Sequence, residues 1–195
     1  RTLLKTATAF TVAGVLGACN KNTSSYHKTT QNSPQNPAEH STQGYDCYGV
    51  HQAGIATPHQ PFAIFSAFDI SINTIDELKK MFWLISQRIE FLTKGGQLHD
   101  PDPKLPPSGS GILGQTIPAD GLTITVSVGE SLFDKRFGLA DKKPKHLTQM
   151  KDFPNDKLQS DWCDGDFSLQ ICAFSPETCQ NALRDLIKQL SAYAA

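Results

Sequence analysis

The sequence predicts an α+β domain, a ferredoxin-like antiparallel sheet with two helices that is incomplete because its last strand is absent. Three observations predict it. Extended and helical signals follow one another as strand, helix, strand, strand, helix; a capping box opens the first helix; and a strict period of two marks the second strand.

Residues 62–70 read as the first strand. Phe62, Ile64, Phe68 and Ile70 fall on one face, Ala63, Phe65 and Ala67 on the other. Apolar residues on both faces predict a strand covered on both sides. Thr74-x-x-Glu77 then forms a capping box, in which side chains satisfy N–H groups left free at the first turn. Ile75, Leu78, Phe82, Ile85, Ile89 and Leu92 recur on one helical face, and Gly95-Gly96 ends the helix. Residues 97–120, rich in Pro and Gly, read as a long ordered loop. Leu122, Ile124, Val126 and Val128 alternate with Thr123, Thr125 and Ser127, which predicts a strand with one buried and one polar face. Residues 130–161 offer only short helical turns, around Leu132-Phe133 and Leu147–Met150. The third strand is Phe167, Leu169, Ile171 and Ala173. Ser175 as N-cap and Pro176 in the first turn open the last helix, whose buried face reads as Cys179, Leu183, Leu186, Ile187 and Leu190.

A full unit of this kind places a fourth strand beside the first. Without it the strand at 62–70 keeps unpaired N–H and C=O groups on an apolar edge, an aggregation hazard. That deficit leads us to expect a truncated chain.

The 195 residues, 38% of them hydrophobic, suffice for one ordinary domain. A net charge of -1 and a pI near 6.6 argue against a nucleic-acid partner or an anionic membrane surface. The run Lys142, Lys143, Lys145 and His146, broken by Pro144, reads as a solvated loop. Arg1-Thr2-Leu3-Leu4-Lys5 precedes a weakly apolar stretch from Thr6 to Ala18, the pattern of an export signal. That stretch falls short of the roughly 20 residues a membrane span needs. It resembles the later part of a twin-arginine signal, with a Sec signal as the alternative, and points to a periplasmic or exported product. Leu16-Gly17-Ala18-Cys19 resembles a lipoprotein cleavage box, so Cys19 is either the acylated first residue of the mature chain or lies near a plain cleavage site. The predicted organisation is a signal over 1–19, a disordered polar tether over 20–47 and the domain over 48–195.

Candidate reactive residues are scattered. Beyond Cys19 there are Cys47, Cys163, Cys172 and Cys179, room for one or two disulfides in an exported protein, although Cys172 and Cys179 read better as small buried hydrophobes. Asp161, Asp164 and Asp166 lack the alternate spacing and closing Glu of a calcium loop, and a turn explains Asp164-Gly165. His27, His40, His51, His59, His99 and His146 form no ligand pair. From residue types and spacing, no catalytic, cofactor-binding or metal-binding residue is assigned.

Several segments together carry a resemblance. They are Gly49-Val50-His51-Gln52-Ala53-Gly54-Ile55-x-Thr57-Pro58, Phe91-Leu92-Thr93-x-Gly95-Gly96, and Pro106-Pro107-x-x-Ser110-Gly111-Ile112-Leu113-Gly114. The run from Leu122 to Ala140, with Ser131-Leu132-Phe133-Asp134-x-Arg136-Phe137-Gly138, is the longest. Phe153-Pro154-Asn155-Asp156, Gly165-Asp166, Leu169–Ala173 and Ala182-Leu183-Arg184-Asp185 follow in order. From about residue 48 to 190 the chain resembles the N-terminal half of the dye-decolourising haem peroxidases, in their deferrochelatase/peroxidase subgroup.

The resemblance implies two ferredoxin-like halves around one haem b, peroxide reduction with oxidation of a donor, release of iron from haem, and a place in iron uptake. Such chemistry needs an axial ligand, a distal acid/base and a cation. The family's distal Asp stands in a Gly-x-x-Asp-Gly motif. Asp120-Gly121 and Asp164-Gly165 do not match it, because Ile117 and Asp161 stand where its first Gly belongs. The resemblance therefore assigns the haem to a C-terminal half, the main partner of this one, and no haem to the present residues alone. Ser108, Gly109 and Asp164 depart from the family's usual pattern. A non-catalytic lipoprotein or binding module, and an inactive gene fragment, stay open as alternatives.

Overall fold

The computed structural model describes residues 42–98, 111–160 and 163–195. The signal, Cys19, His27, His40, His99, Ser108, Gly109 and Asp161 lie outside the described residues. The elements are β1 (Phe62–Phe68), α1 (Ile75–Lys94), β2 (Gly96–Gln97), β3 (Thr116–Ile117), β4 (Thr123–Val128), β5 (Phe167–Ala173) and α2 (Pro176–Leu190). Short 3-10 turns occupy Glu130–Phe133 and Ala140–Lys142.

The main sheet has the order β1-β5-β4, with both pairings antiparallel. Ile64 faces Ile171, which faces Ile124, so the inner side chains of the strands line up in rows. Both helices cover this inner side. Met81, Ile85 and Leu92 of α1 and Ala182, Leu186 and Leu190 of α2 complete the core with Phe68, Phe167, Leu169 and Ile171. The Phe68 and Phe167 rings stack at 5.0 Å between centroids, a favourable offset pairing inside that core.

Local chemistry starts and stops the elements where the sequence predicts. Thr74 accepts the Glu77 N–H at 3.3 Å and donates to the Glu77 carboxylate at 2.6 Å, the reciprocal capping box. Ser175 caps α2 by its backbone geometry, but its hydroxyl donates to Asp120 instead of accepting from the helix. Asp120 and Gly121, with φ of 48° and 61°, form the tight turn that feeds β4; the Leu122 N–H donates to the Ala119 carbonyl at 2.9 Å. A Cβ on Gly121 would lie 2.2 Å from the Phe174 ring, so only glycine fits there.

Five expectations need correction. The stretch at 97–120 is not all loop, because Gly96–Gln97 pairs with Thr116–Ile117 as a small ribbon. Leu147–Met150 forms a turn from Pro144 but no helix, and the additional 3-10 turn lies at Ala140–Lys142. β1 is covered on one face only: Ala63, Phe65 and Ala67 are exposed. The polar face of β4 is not in water, since Thr123 and Thr125 are buried beneath the segment preceding β1. The buried face of α2 is turned from its predicted setting, with Asp185 fully buried and Ile187 48% exposed. Packing also begins before Tyr48, because the Gln43 carbonyl accepts the Gly121 N–H and Cys47 packs against the core.

The absent fourth strand has a visible beginning. After α2, Tyr193–Ala195 turns back against β1 with Ile70 opposite Ala194. Asp69 exchanges both backbone hydrogen bonds with Ala195, at 2.9 and 3.1 Å, and the Ser71 N–H donates to Tyr193 at 2.8 Å. The Phe68 carbonyl instead accepts from Asp166, on the β5 side. Alternation along the strand therefore puts Tyr193–Ala195 on the outer edge of β1.

Candidate functional site

The face of the sheet opposite the helices is divided in two. Over β4, residues 52–60 make a lid. The Gln52 side-chain amide accepts the Val126 N–H and donates to the Val126 carbonyl, each at 3.0 Å. Thr125 donates to the Ala53 carbonyl at 2.8 Å, and Gln60 donates to both Gly121 and Thr123. Gly54, at φ 98°, is required for this approach, because a Cβ there would meet the Thr125 hydroxyl at 2.1 Å. The resemblance flagged this segment without explaining it; the signal was a glycine opposite a row of threonines.

Over β1 the same face is bare. Phe65 is 68% exposed between Ala63 and Ala67. A cavity of about 340 Å³ opens beside it, walled by Phe65, Val128, Leu147 and Met150 and edged by Glu130 and Asp164. Glu130 is ion-paired with Lys143. The apolar surface continues over the following loop, where Met150, Phe153 and Leu158 are all exposed. Contiguous exposed apolar surface of this kind marks an interaction site.

Below the cavity sits an ionic clamp. Arg136 reaches both carboxylate oxygens of Asp166, at 2.7 and 3.1 Å, and donates to the carbonyls of Ile70 and Ser131. Asp166 also accepts the Ile70 N–H at 2.8 Å. Burial alone would raise the Asp166 carboxyl, but the hydrogen bonds from Arg136, Ile70 and Ser131 outweigh it and hold the group below the ordinary carboxylate range. Asp164 and Gly165, at φ 66° and 112°, make the turn before β5. The acidic cluster thus divides into a turn and a structural clamp; among the described residues no group of three or more His, Cys, Asp or Glu is placed to hold a metal ion.

The cysteines serve packing. Cys47, Cys163, Cys172 and Cys179 are free thiols. Cys172 accepts from Gln170 on the outer face, whereas Cys179 lies under the sheet and donates to the carbonyls of Phe62 and Ile171. Burial pushes the Cys179 thiol up to about 11, away from nucleophilic use. Burial likewise raises Cys47, which lines a second cavity of about 260 Å³ with Phe82, Ile85 and Ile124.

His51, His59 and His146 are exposed and line neither cavity. Gly-x-x-Asp-Gly is not spelled at either Asp-Gly turn. The described residues therefore do not fit a haem: they offer no imidazole aimed into an apolar cavity and no distal acid paired with a free cation. We derive no peroxide chemistry from them.

Fold and surface define a class: a ferredoxin-like half-domain that is finished on its helical side and open on its sheet side. The chain belongs to the Dyp-type peroxidase family, whose N-terminal family model matches residues 52–194. It is 53% identical to the deferrochelatase of Escherichia coli K12 over 142 residues, which cover 72% of this chain and 34% of that protein. The deferrochelatase of Shigella flexneri serotype 5b is 52% identical over the same length. Among solved structures, the DyP-type peroxidase of Cellulomonas bogoriensis superposes with a TM-score of 0.67 at 32% identity, covering 80% of this chain and 41% of that one. An oxyferrous complex of DtpA from Streptomyces lividans gives 0.71 at 26%, covering 82% and 41%. The chain spans about one third of the length of the curated relatives it matches.

Proposed function

We propose that this chain is the N-terminal part of an exported haem-dependent peroxidase of the deferrochelatase kind. In this reading a C-terminal half binds haem b, and the whole protein reduces hydrogen peroxide and releases haem iron for uptake in the periplasm. Residues 1–19 serve as the export signal, with Cys19 as a lipid attachment point. The observation that carries the reading is the family match over 52–194 together with the bare apolar face at Phe65, Val128 and Met150. Such a face is stable in water only at a cost, and a second sheet packed on it would remove that apolar surface from solvent.

The haem, when bound, supplies the redox chemistry. The present residues contribute a rigid wall: the Arg136–Asp166 clamp fixes the end of β1, and the lid at 52–60 fixes β4. The test is complementation. Mixing the 195-residue polypeptide with haem and the C-terminal two thirds of E. coli deferrochelatase should give a Soret band and peroxide-driven dye oxidation. The polypeptide alone should give neither turnover nor stoichiometric haem. One haem per chain with dye oxidation by the isolated polypeptide would overturn the division of labour, and failure of the two pieces to associate would overturn the assigned face.

A further inference from the structure

The outer edge of β1 carries an inference separate from the peroxidase reading. Because Phe68 points its backbone groups at β5 and Asp69 points its own at Ala195, alternation aims the N–H and C=O of Ala63, Phe65 and Ala67 away from the sheet. β1 ends the strand order, and among the described residues nothing pairs with these three positions. The strand Phe-Ala-Ile-Phe-Ser-Ala-Phe holds no charge and no proline, the usual protections of an edge. Tyr193–Ala195 already add to this edge in antiparallel fashion, but only as far as Asp69.

We propose that a second copy of this chain fills the remainder, β1 against β1, about a two-fold axis through Phe65. The geometry is self-complementary. With Phe65 opposite its own copy, Ala63 of each chain faces Ala67 of the other, and every outward N–H meets a carbonyl. The two Phe65 rings lie on the same face, across an inter-strand pair whose Cα atoms are about 5.5 Å apart. The small side chains of Ala63 and Ala67 leave room for that contact. Tyr193–Ala195 block pairing beyond this segment, which fixes the register.

The experiment uses the 195-residue chain at about 100 µM. Light scattering after size exclusion should report a dimer that returns to monomer on roughly a hundredfold dilution. In hydrogen exchange, the amides of Ala63, Phe65 and Ala67 should be slow in the dimer and fast after dilution, whereas Ile64 and Ser66, already bonded to β5, stay slow throughout. Phe65→Lys, a change at an exposed position, should be monomeric with an unchanged far-ultraviolet spectrum. A monomer at the higher concentration overturns the proposal. So does a dimer whose alternating amides gain no protection. Complementation by the relative's C-terminal piece is a separate readout, so either idea can fail alone.

Discussion

Past Phe68 the chain of β1 runs beyond the end of β5, and Ile70 has no strand to pair with on that side. Asp166 and Arg136 stand in for it: the carboxylate takes the Ile70 N–H and the guanidinium takes the Ile70 carbonyl. Removing one partner of a buried, hydrogen-bonded ion pair costs about 3–5 kcal/mol. Asp166→Ala should therefore lower unfolding stability by about 3 kcal/mol in urea titrations at pH 7. Its pH dependence follows from the lowered carboxyl. Stabilisation by Asp166 is fully present above its unfolded value of 3.8 and is lost as the pH falls through the lower folded value, so wild type and variant should converge toward pH 2. The cysteines give a second check. Native alkylation at pH 8 should modify half-buried Cys163 first and Cys179 last, and equal rates would contradict the buried, protonated state of Cys179. In the sequence Asp166 was visible only as one of several acids near a turn. Its partner lies 30 residues away, and no local spacing encodes such a pair.

Among the elements, the helices were the most legible, because an apolar stripe and a cap are local properties. α1 buries Leu78, Ile85, Ile89 and Leu92 as its spacing predicts. α2 was misjudged around Ile187, and the cause is one residue. Asp185 is buried and takes two hydrogen bonds from Arg88 of α1, at 2.8 and 2.9 Å, which turns Ile187 outward. A stripe read from hydrophobicity alone treats a buried carboxylate as solvent-facing. The two partners are not equivalent, since Arg88 retains access to water and Asp185 does not. Arg88→Ala, which strands a buried charge, should cost about 3–5 kcal/mol, more than Asp185→Ala; replacing both with Met and Leu should recover most of the loss. Chemical denaturation of the three variants decides this, and equal single-variant effects would refute it. β4 teaches a related lesson. Its alternation was correct, yet both faces near Thr123 are buried because the lid comes from a segment 60–70 positions earlier in the chain.

For the molecule as a whole, the order of elements and the resemblance located the family, and the match over residues 52–194 shows it. Which surface would meet a second half was not legible. β1 is apolar on both faces in sequence, and only the placement of the lid over β4 leaves Phe65 bare. The two long edges of the sheet also differ, and that difference has a consequence. At the β4 side, Gln52 occupies the backbone of Val126 with its own amide, so no incoming strand finds a free donor and acceptor at that position. Growth from such a molecule is one-sided. Two copies can meet, but neither then offers an open end to a third, and the side-chain plug at Val126 acts as a terminator that keeps a sticky strand from seeding a filament.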